Sequence, residues 1–183
     1  MVTIVSLWLA ILVSAVLVWI ASALVWMVLP HHKKEFRALP DEEAARATLG
    51  SQNLSPGIYN IPHADSQEEM KDPEFVKKWE DGPVAFVTIL PAPNMGKNLA
   101  KTFLFYLLVG VMVAYLTSRT LPAGADYMQV FRIAGTTAWL AYGFAYFQDG
   151  VWFGKPWSSV IKALIDALIY ALLTAGVFGW LWP

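Results

Sequence analysis

Cysteine is absent from this chain of 183 residues. Without a thiol, a protein has no disulfide framework, no thiolate zinc site, no iron–sulfur cluster and no cysteine nucleophile. Charge is also scarce, because Asp, Glu, Lys and Arg make up 15% of the residues, against about 25% in an ordinary soluble domain. The formal net charge of -1 provides no basic surface for a nucleic acid. We therefore expect no nucleic-acid partner.

The short motifs that accompany common chemistries are missing as well. The chain has no phosphate-binding G-x-x-x-x-G-K-[ST], no dinucleotide-binding G-x-G-x-x-G, no zinc-protease H-E-x-x-H and no G-x-S-x-G. Its histidines are His31, His32 and His63, and with a carboxylate such as Asp65 they would supply enough zinc ligands. Their spacing matches no recognised zinc pattern, however. We assign no catalytic, cofactor-binding or metal-binding residue, expect no cofactor, and interpret the chain as not an enzyme.

Apolar residues, in contrast, make up 57% of the chain and fall in four long runs. A bilayer core about 30 Å thick needs about 20 helical residues. The runs predict transmembrane helices over residues 1–29, 99–118, 127–147 and 159–182. We expect the first to be an uncleaved anchor, because its apolar run is too long for a signal peptide and no base precedes it. The predicted fold class is an all-α membrane protein, a four-transmembrane-helix bundle.

The distribution of Lys and Arg predicts the orientation of these helices. Two bases, Arg119 and Arg132, lie near the helix ends on one side. The other side has eight: Lys33, Lys34, Arg37, Arg46, Lys97, Lys101, Lys155 and Lys162. The positive-inside rule then places the long loop in the cytoplasm and both termini outside. Lys33, Lys34 and Arg37 follow the first helix directly and are candidate contacts for lipid headgroups.

Residues 30–98 differ in composition from the rest and predict a small mixed α/β cytoplasmic insertion between the first two helices. They hold eleven of the fourteen acids and all three histidines. Two short helices are predicted: one over 41–49, behind Pro40 and with Asp41 in its first turn, and one that is capped by Asp72 and runs from Pro73 to about Trp79. Residues 58–61 and 84–90 predict two short strands. So small a segment buries little by itself.

The predicted fourth helix has two stripes of functional interest. Its candidate helix-packing face repeats a small residue every four positions, at Ala163, Ala167, Ala171, Ala175 and Gly179. A matching face on the third helix comprises Ala134, Ala138, Ala141 (or Tyr142) and Ala145, which predicts a tight hairpin of the two helices. The neighbouring stripe is a candidate intramembrane polar site, formed by Lys162, Asp166, Tyr170 and Thr174.

Asp166 is the most informative residue of that stripe, because a carboxylate inside a membrane is a functional-site hypothesis by default. Lys162 lies one turn away and offsets the unfavourable burial by pairing with it. Three roles stay open: a structural ion pair or hydrogen-bonded anchor, contact with a partner subunit, and proton or ion handling.

Three segments carry a resemblance to known sequences: Pro30-His31-His32-Lys33, the run from Ser55 to His63, and the end from Gly176 to Pro183. They resemble small inner-membrane proteins of bacteria that have four transmembrane helices and no assigned activity. The resemblance covers most of the chain. It implies a compartment, and it implies no cofactor, substrate or catalytic residue.

Three functional hypotheses follow. The first is a non-enzymatic accessory or assembly subunit that binds another membrane protein, based on the small-residue face and the compact size. The alternative is a homo-oligomeric transporter or channel in which Lys162, Asp166, Tyr170 and Thr174 line a polar path. A third is a membrane enzyme acting on lipid or quinone through His31, His32 and the acidic insertion.

Overall fold

A computed structural model describes residues 2–183 and divides the chain into two compact units. One unit consists of the residues up to Arg37 together with Met95–Pro183, and the other is Ala38–Asn94. The chain is mostly helical with one small two-stranded sheet. Three helical segments are long and apolar enough to cross a membrane: Val5–Val28, Met95–Thr120 and Trp157–Trp180. They support the predicted class of membrane protein.

The first of these segments is not one regular helix. It comprises a 3-10 turn over Val5–Leu7, helix α1 over Trp8–Ala23 and a π-helical turn over Leu24–Val28. At Leu29 the backbone becomes extended, and Pro30–His32 forms a 3-10 turn. A proline has no backbone N–H to continue a helix, so the span ends here. The later helices of this unit are α4 over Met95–Thr120, α5 over Tyr127–Gly143, α6 over Tyr146–Trp152 and α7 over Trp157–Trp180.

Among the described residues the predicted count of four spans is not reproduced, because the predicted third helix over 127–147 is interrupted. Helix α5 ends at Gly143, and α6 starts again at Tyr146. The 17 residues of α5 extend about 26 Å at 1.5 Å per residue, less than the thickness of about 30 Å of a bilayer core. Glycine is a poor helix former, which agrees with a break at Gly143. Helix α4, in turn, begins at Met95, earlier than the predicted start at residue 99.

The four long helices of this unit form a closed ring in which α1 contacts α4, α4 contacts α5, α5 contacts α7 and α7 contacts α1. Glycines mark the closest approaches. A Cβ added at Gly110 of α4 would lie 3.1 Å from Ile11 of α1, and one added at Gly143 of α5 would lie 2.8 Å from Ala167 of α7. A Cβ at Gly135 would lie 3.1 Å from Ala175. The predicted hairpin of the last two long helices is confirmed, with α6 inserted in its connection.

The Ala38–Asn94 unit contains the elements that its sequence predicts. Helix α2 spans Glu42–Ser51 and helix α3 spans Pro73–Asp81. Each is capped by the aspartate before it, because Asp41 accepts a hydrogen bond from the Ala44 N–H and Asp72 accepts one from the Glu74 N–H. Strand β1 over Gly57–Ile61 pairs antiparallel with β2 over Ala85–Ile89, with Tyr59 opposite Val87.

Candidate functional site

Five polar side chains meet just beyond the end of the first span, and we call them the ionic cluster. The 3-10 turn at Pro30 directs two histidines and the glutamate that follows toward α7, which contributes two charged residues one turn apart. The members of the cluster are His31, His32, Glu35, Lys162 and Asp166.

His32 is the centre of the ionic cluster. Its Nε2 lies 2.7 Å from Oδ2 of Asp166, and its Nδ1 lies 2.8 Å from Oε1 of Glu35. Both distances are those of hydrogen bonds, so each ring nitrogen of His32 has a carboxylate oxygen as its partner. Trp26 stacks on it with ring centroids 3.9 Å apart and planes 2° from parallel. The side chains of His32 and Asp166 are each 5% exposed.

His31 faces the other oxygen of the same carboxylate. Its Nε2 lies 3.3 Å from Oδ1 of Asp166, but this buried nitrogen makes no hydrogen bond with the described residues. The side chain as a whole is 30% exposed. The His31 ring packs edge-on against His32, with centroids 4.6 Å apart. His31 therefore has a reactive nitrogen turned toward Asp166 without a fixed partner for it.

Lys162 does not take the predicted role of partner to Asp166. Its Nζ donates a hydrogen bond to the backbone carbonyl of His31 at 2.7 Å and lies 3.5 Å from Oε1 of Glu35. Burial raises the pKa of the Glu35 carboxyl, but the hydrogen bonds and charges of His32 and Lys162 outweigh burial, so that this pKa lies below its ordinary value. His32 and Lys162 thus favour the ionised form of the Glu35 carboxyl.

The predicted polar stripe of α7 therefore separates into two parts. Lys162 and Asp166 belong to the ionic cluster, whereas Tyr170 and Thr174 are buried deeper in the helical ring. The Tyr170 ring packs against Tyr106 and Tyr142 with centroids 6.2 Å and 6.0 Å apart. The Thr174 hydroxyl donates to the Tyr170 carbonyl one turn earlier. The inner half of the stripe is packed by aromatic rings.

The other candidate residues lie apart from the cluster. His63 pairs with Asp65 at 3.0 Å, and both side chains are more than half exposed. The carboxylate beside His31 and His32 is therefore Asp166 rather than Asp65. Lys33, Lys34 and Arg37 are exposed, as a headgroup contact requires, and that role stays a prediction.

The candidate helix-packing face of α7 is used within the chain itself. Its four alanines are buried, at Ala163, Ala167, Ala171 and Ala175. Of the matching face predicted on the preceding helix, Ala134, Ala138 and Tyr142 are buried on α5, while Ala141 and, beyond the end of α5, Ala145 are exposed. At Gly179 an added Cβ would lie 2.7 Å from the Tyr127 ring. Helix α5 occupies this face, so it is not free for a helix of another protein.

The Ala38–Asn94 unit offers a different kind of surface. It contains no buried residue, although its helices and strands are formed. On α3 an apolar face of Phe75, Val76 and Trp79 continues to Met70, and with Glu80 these side chains line a groove of about 290 Å³. We call the four apolar residues the α3 apolar face. Ten acids against four bases give this unit a formal charge of -6 with His neutral.

No protein-family model, no curated protein and no solved structure matches this chain. The functional argument therefore depends on the geometry of the ionic cluster and of the α3 apolar face. The sequence contained one signal for the cluster: adjacent histidines directly after a span, with a carboxylate inside another span as their possible partner.

Proposed function

We propose that the chain is a non-enzymatic accessory or assembly subunit of a larger complex in a bacterial inner membrane. The observation that carries this proposal is the state of the Ala38–Asn94 unit, which folds without burying a single residue. A small unit that buries so little is marginal alone. Exposed contiguous apolar surface on a non-membrane segment is a sign of an interaction site. Docking on a partner would supply the burial that this unit lacks.

The partner that fits is a protein with an apolar patch bordered by Lys and Arg. On the α3 apolar face, Met70, Val76 and Trp79 are 55%, 39% and 51% exposed. The charge of -6 on the unit that carries this face disfavours the anionic inner leaflet of a bacterial membrane, whose negative potential repels acidic segments. The same charge attracts a basic protein surface and raises the rate at which the two proteins associate.

The small-residue face that first suggested an accessory subunit supports this proposal less, because α5 packs on it. The alternative of a transporter or channel has weaker support still. Asp166, Tyr170 and Thr174 are buried, and aromatic rings pack around Tyr170. A polar path for a solute needs these groups to face water.

We also propose that α5 crosses the membrane as a fourth span. It runs antiparallel to α7 and touches it from Gly143 beside Ala167 to Tyr127 beside Gly179. A helix packed along a membrane-spanning neighbour lies at the same depth in the bilayer. Seventeen residues are at the lower limit of the range of about 17–25 for a span. With four crossings and the positive-inside rule, the Ala38–Asn94 unit is cytoplasmic and both termini are outside.

Photocrosslinking in intact membranes tests the accessory role. A photoreactive amino acid replaces Trp79 in the α3 apolar face, and in a matched control it replaces Lys77. At 100° per residue, Lys77 points to the opposite side of α3, and it is exposed. We expect one foreign membrane protein to be crosslinked at position 79 and much less of it at position 77. In the variant Trp79→Ala, the same protein should no longer co-purify, while the abundance of the chain stays unchanged. Crosslinks only to a second copy of the chain, or only to lipid, would contradict the proposal.

A further inference from the structure

We propose that the ionic cluster binds one divalent transition-metal ion through His31, His32 and Asp166. This inference does not depend on the accessory role, because it concerns other residues. One ring nitrogen of each histidine and a carboxylate oxygen of Asp166 all lie within 4.8 Å of one another. Two imidazoles and one carboxylate form a donor set that Zn²⁺ and neighbouring metals take with three protein ligands, leaving further positions to water.

A small cation requires these ligand atoms, which lie within 4.8 Å of one another, to come closer together. Zinc bound at about 2.0–2.1 Å to nitrogen and about 2.0–2.2 Å to oxygen holds its tetrahedral ligands roughly 3.3–3.5 Å apart. His31 Nε2 already lies 3.3 Å from Oδ1 of Asp166. His32 Nε2 lies 2.7 Å from Oδ2, which is a hydrogen-bond distance. The cation takes the place of the Nε2 proton there, and the two atoms separate by roughly 0.6–0.8 Å.

His31 supplies a second observation in favour of a metal ion. Its Nε2 is buried and turned toward Asp166, yet it makes no hydrogen bond with the described residues. Buried polar atoms without a partner are rare. A metal ion between this nitrogen and the carboxylate would satisfy it. The 30% exposure of the His31 side chain also provides a side from which an ion and its water can enter.

The surrounding residues orient the ligands as they do in metal sites. A metal-bound histidine commonly donates its second ring N–H to a carboxylate, and Nδ1 of His32 lies 2.8 Å from Glu35. Trp26 fixes the plane of the same ring by stacking. Lys162 holds the backbone carbonyl of His31 at 2.7 Å. The two histidine ligands of the proposed site thus each have a positioning contact.

The charge of the cluster also favours a cation. With neutral imidazoles, Glu35 and Asp166 contribute two negative charges against the single positive charge of Lys162. Only 9% of the Glu35 side chain and 5% of the Asp166 side chain are exposed. Water screens these charges poorly, so a bound cation is favoured more strongly than at an open surface. Nitrogen ligands select against Mg²⁺ and Ca²⁺, which prefer oxygen.

Metal titration of the full chain tests the site. The protein is purified in mild detergent with an affinity tag that contains no histidine, stripped with a chelator, and titrated with Zn²⁺, Co²⁺ and Mg²⁺. Bound metal is measured by mass spectrometry, and Co²⁺ also by its visible absorption. We expect one Zn²⁺ or Co²⁺ per chain and no saturable binding of Mg²⁺. A chain that binds no Zn²⁺ or Co²⁺, or binds Mg²⁺ equally well, would overturn the proposal.

Two variants and a control distinguish a loss of metal binding from a loss of folding. His31→Ala removes a ligand whose Nε2 makes no hydrogen bond, so the contacts of His32 with Asp166 and Glu35 remain. It should lower the Zn²⁺ affinity by at least about 100-fold, and the positioning variant Glu35→Gln should lower it by about 10–100-fold. His63→Ala removes the exposed histidine next to Asp65 and should bind like the wild type. If the wild type and His31→Ala bind Zn²⁺ with equal affinity, the cluster is a hydrogen-bonded network without a metal ion, and the proposal is overturned.

Discussion

The contact between Gly143 and Ala167 makes the packing of α5 on α7 measurable. A methyl group on Gly143 would place its carbon 2.8 Å from the Ala167 Cβ and 3.3 Å from Cδ2 of Leu164. Carbon atoms in contact stay about 3.5–4.0 Å apart, so the helices must separate by about 1 Å. Overpacking of this kind destabilises by about 1–3 kcal/mol. Because alanine has a higher helix propensity than glycine, the substitution also stabilises the helix by up to about 1 kcal/mol.

A double-mutant cycle isolates the contact from the helix propensity. We expect Gly143→Ala to lower the free energy of unfolding, and Ala167→Gly in the same chain to relieve the clash. The coupling energy between the two changes should be about 1–3 kcal/mol in favour of the double variant. Gly176→Ala is the matched control, because the nearest atom to its added Cβ is the Tyr127 hydroxyl at an ordinary 3.8 Å. Unfolding by SDS in mixed micelles, followed by tryptophan fluorescence, gives the free energies of unfolding of the wild type, the three variants of the cycle and the control. Equal stability of Gly143→Ala and Gly176→Ala, with no coupling to Ala167, would refute the close approach.

Two further predictions concern topology and the ionic cluster. Reporter fusions at both termini should lie on the non-cytoplasmic side of the membrane, and a reporter inserted at Gly50 should lie in the cytoplasm. If the two termini lie on opposite sides, α5 does not cross the membrane. Asp166→Ala leaves the buried His32 with only Glu35 as a carboxylate partner and should destabilise the chain by about 3–5 kcal/mol. In the same unfolding assay, the double variant Asp166→Ala, His32→Ala should lose less free energy of unfolding than the sum of the two single variants. Strict additivity of the two losses would contradict the pairing.

Features set by local chemistry could be predicted from the sequence. The apolar run of the first span is long enough for a bilayer, and its end at Pro30 follows from the missing N–H. Asp41 and Asp72 mark the starts of α2 and α3, because a side-chain oxygen there accepts from the first turn. The repeat of alanines from Ala163 indicated the close packing of α7 on α5. Each of these signals lies within a few residues of its effect.

The ionic cluster depends on contacts between distant parts of the chain. His32 and Asp166 are 134 residues apart, and no local pattern joins them. The local rule for charges four residues apart on a helix favoured Lys162 as the partner of Asp166. That rule did not decide the pairing, because the lysine side chain is long enough to reach the His31 carbonyl and Glu35 instead. Only the turn at Pro30, which returns the chain toward α7, brings the histidines to Asp166.

The two stripes of α7 together explain where this protein has free surface for partners and ligands. Small side chains at Ala167 and Ala175 let α5 come so close that the face is filled from within the chain. The same close packing surrounds Tyr170 with other tyrosine rings and buries the inner half of the polar stripe. Asp166, nearer to the end of the helix, is the part of the stripe that a loop can reach, and His31 and His32 occupy it. On our proposals, a protein partner docks on the acidic Ala38–Asn94 unit, and a small cation binds in the cluster.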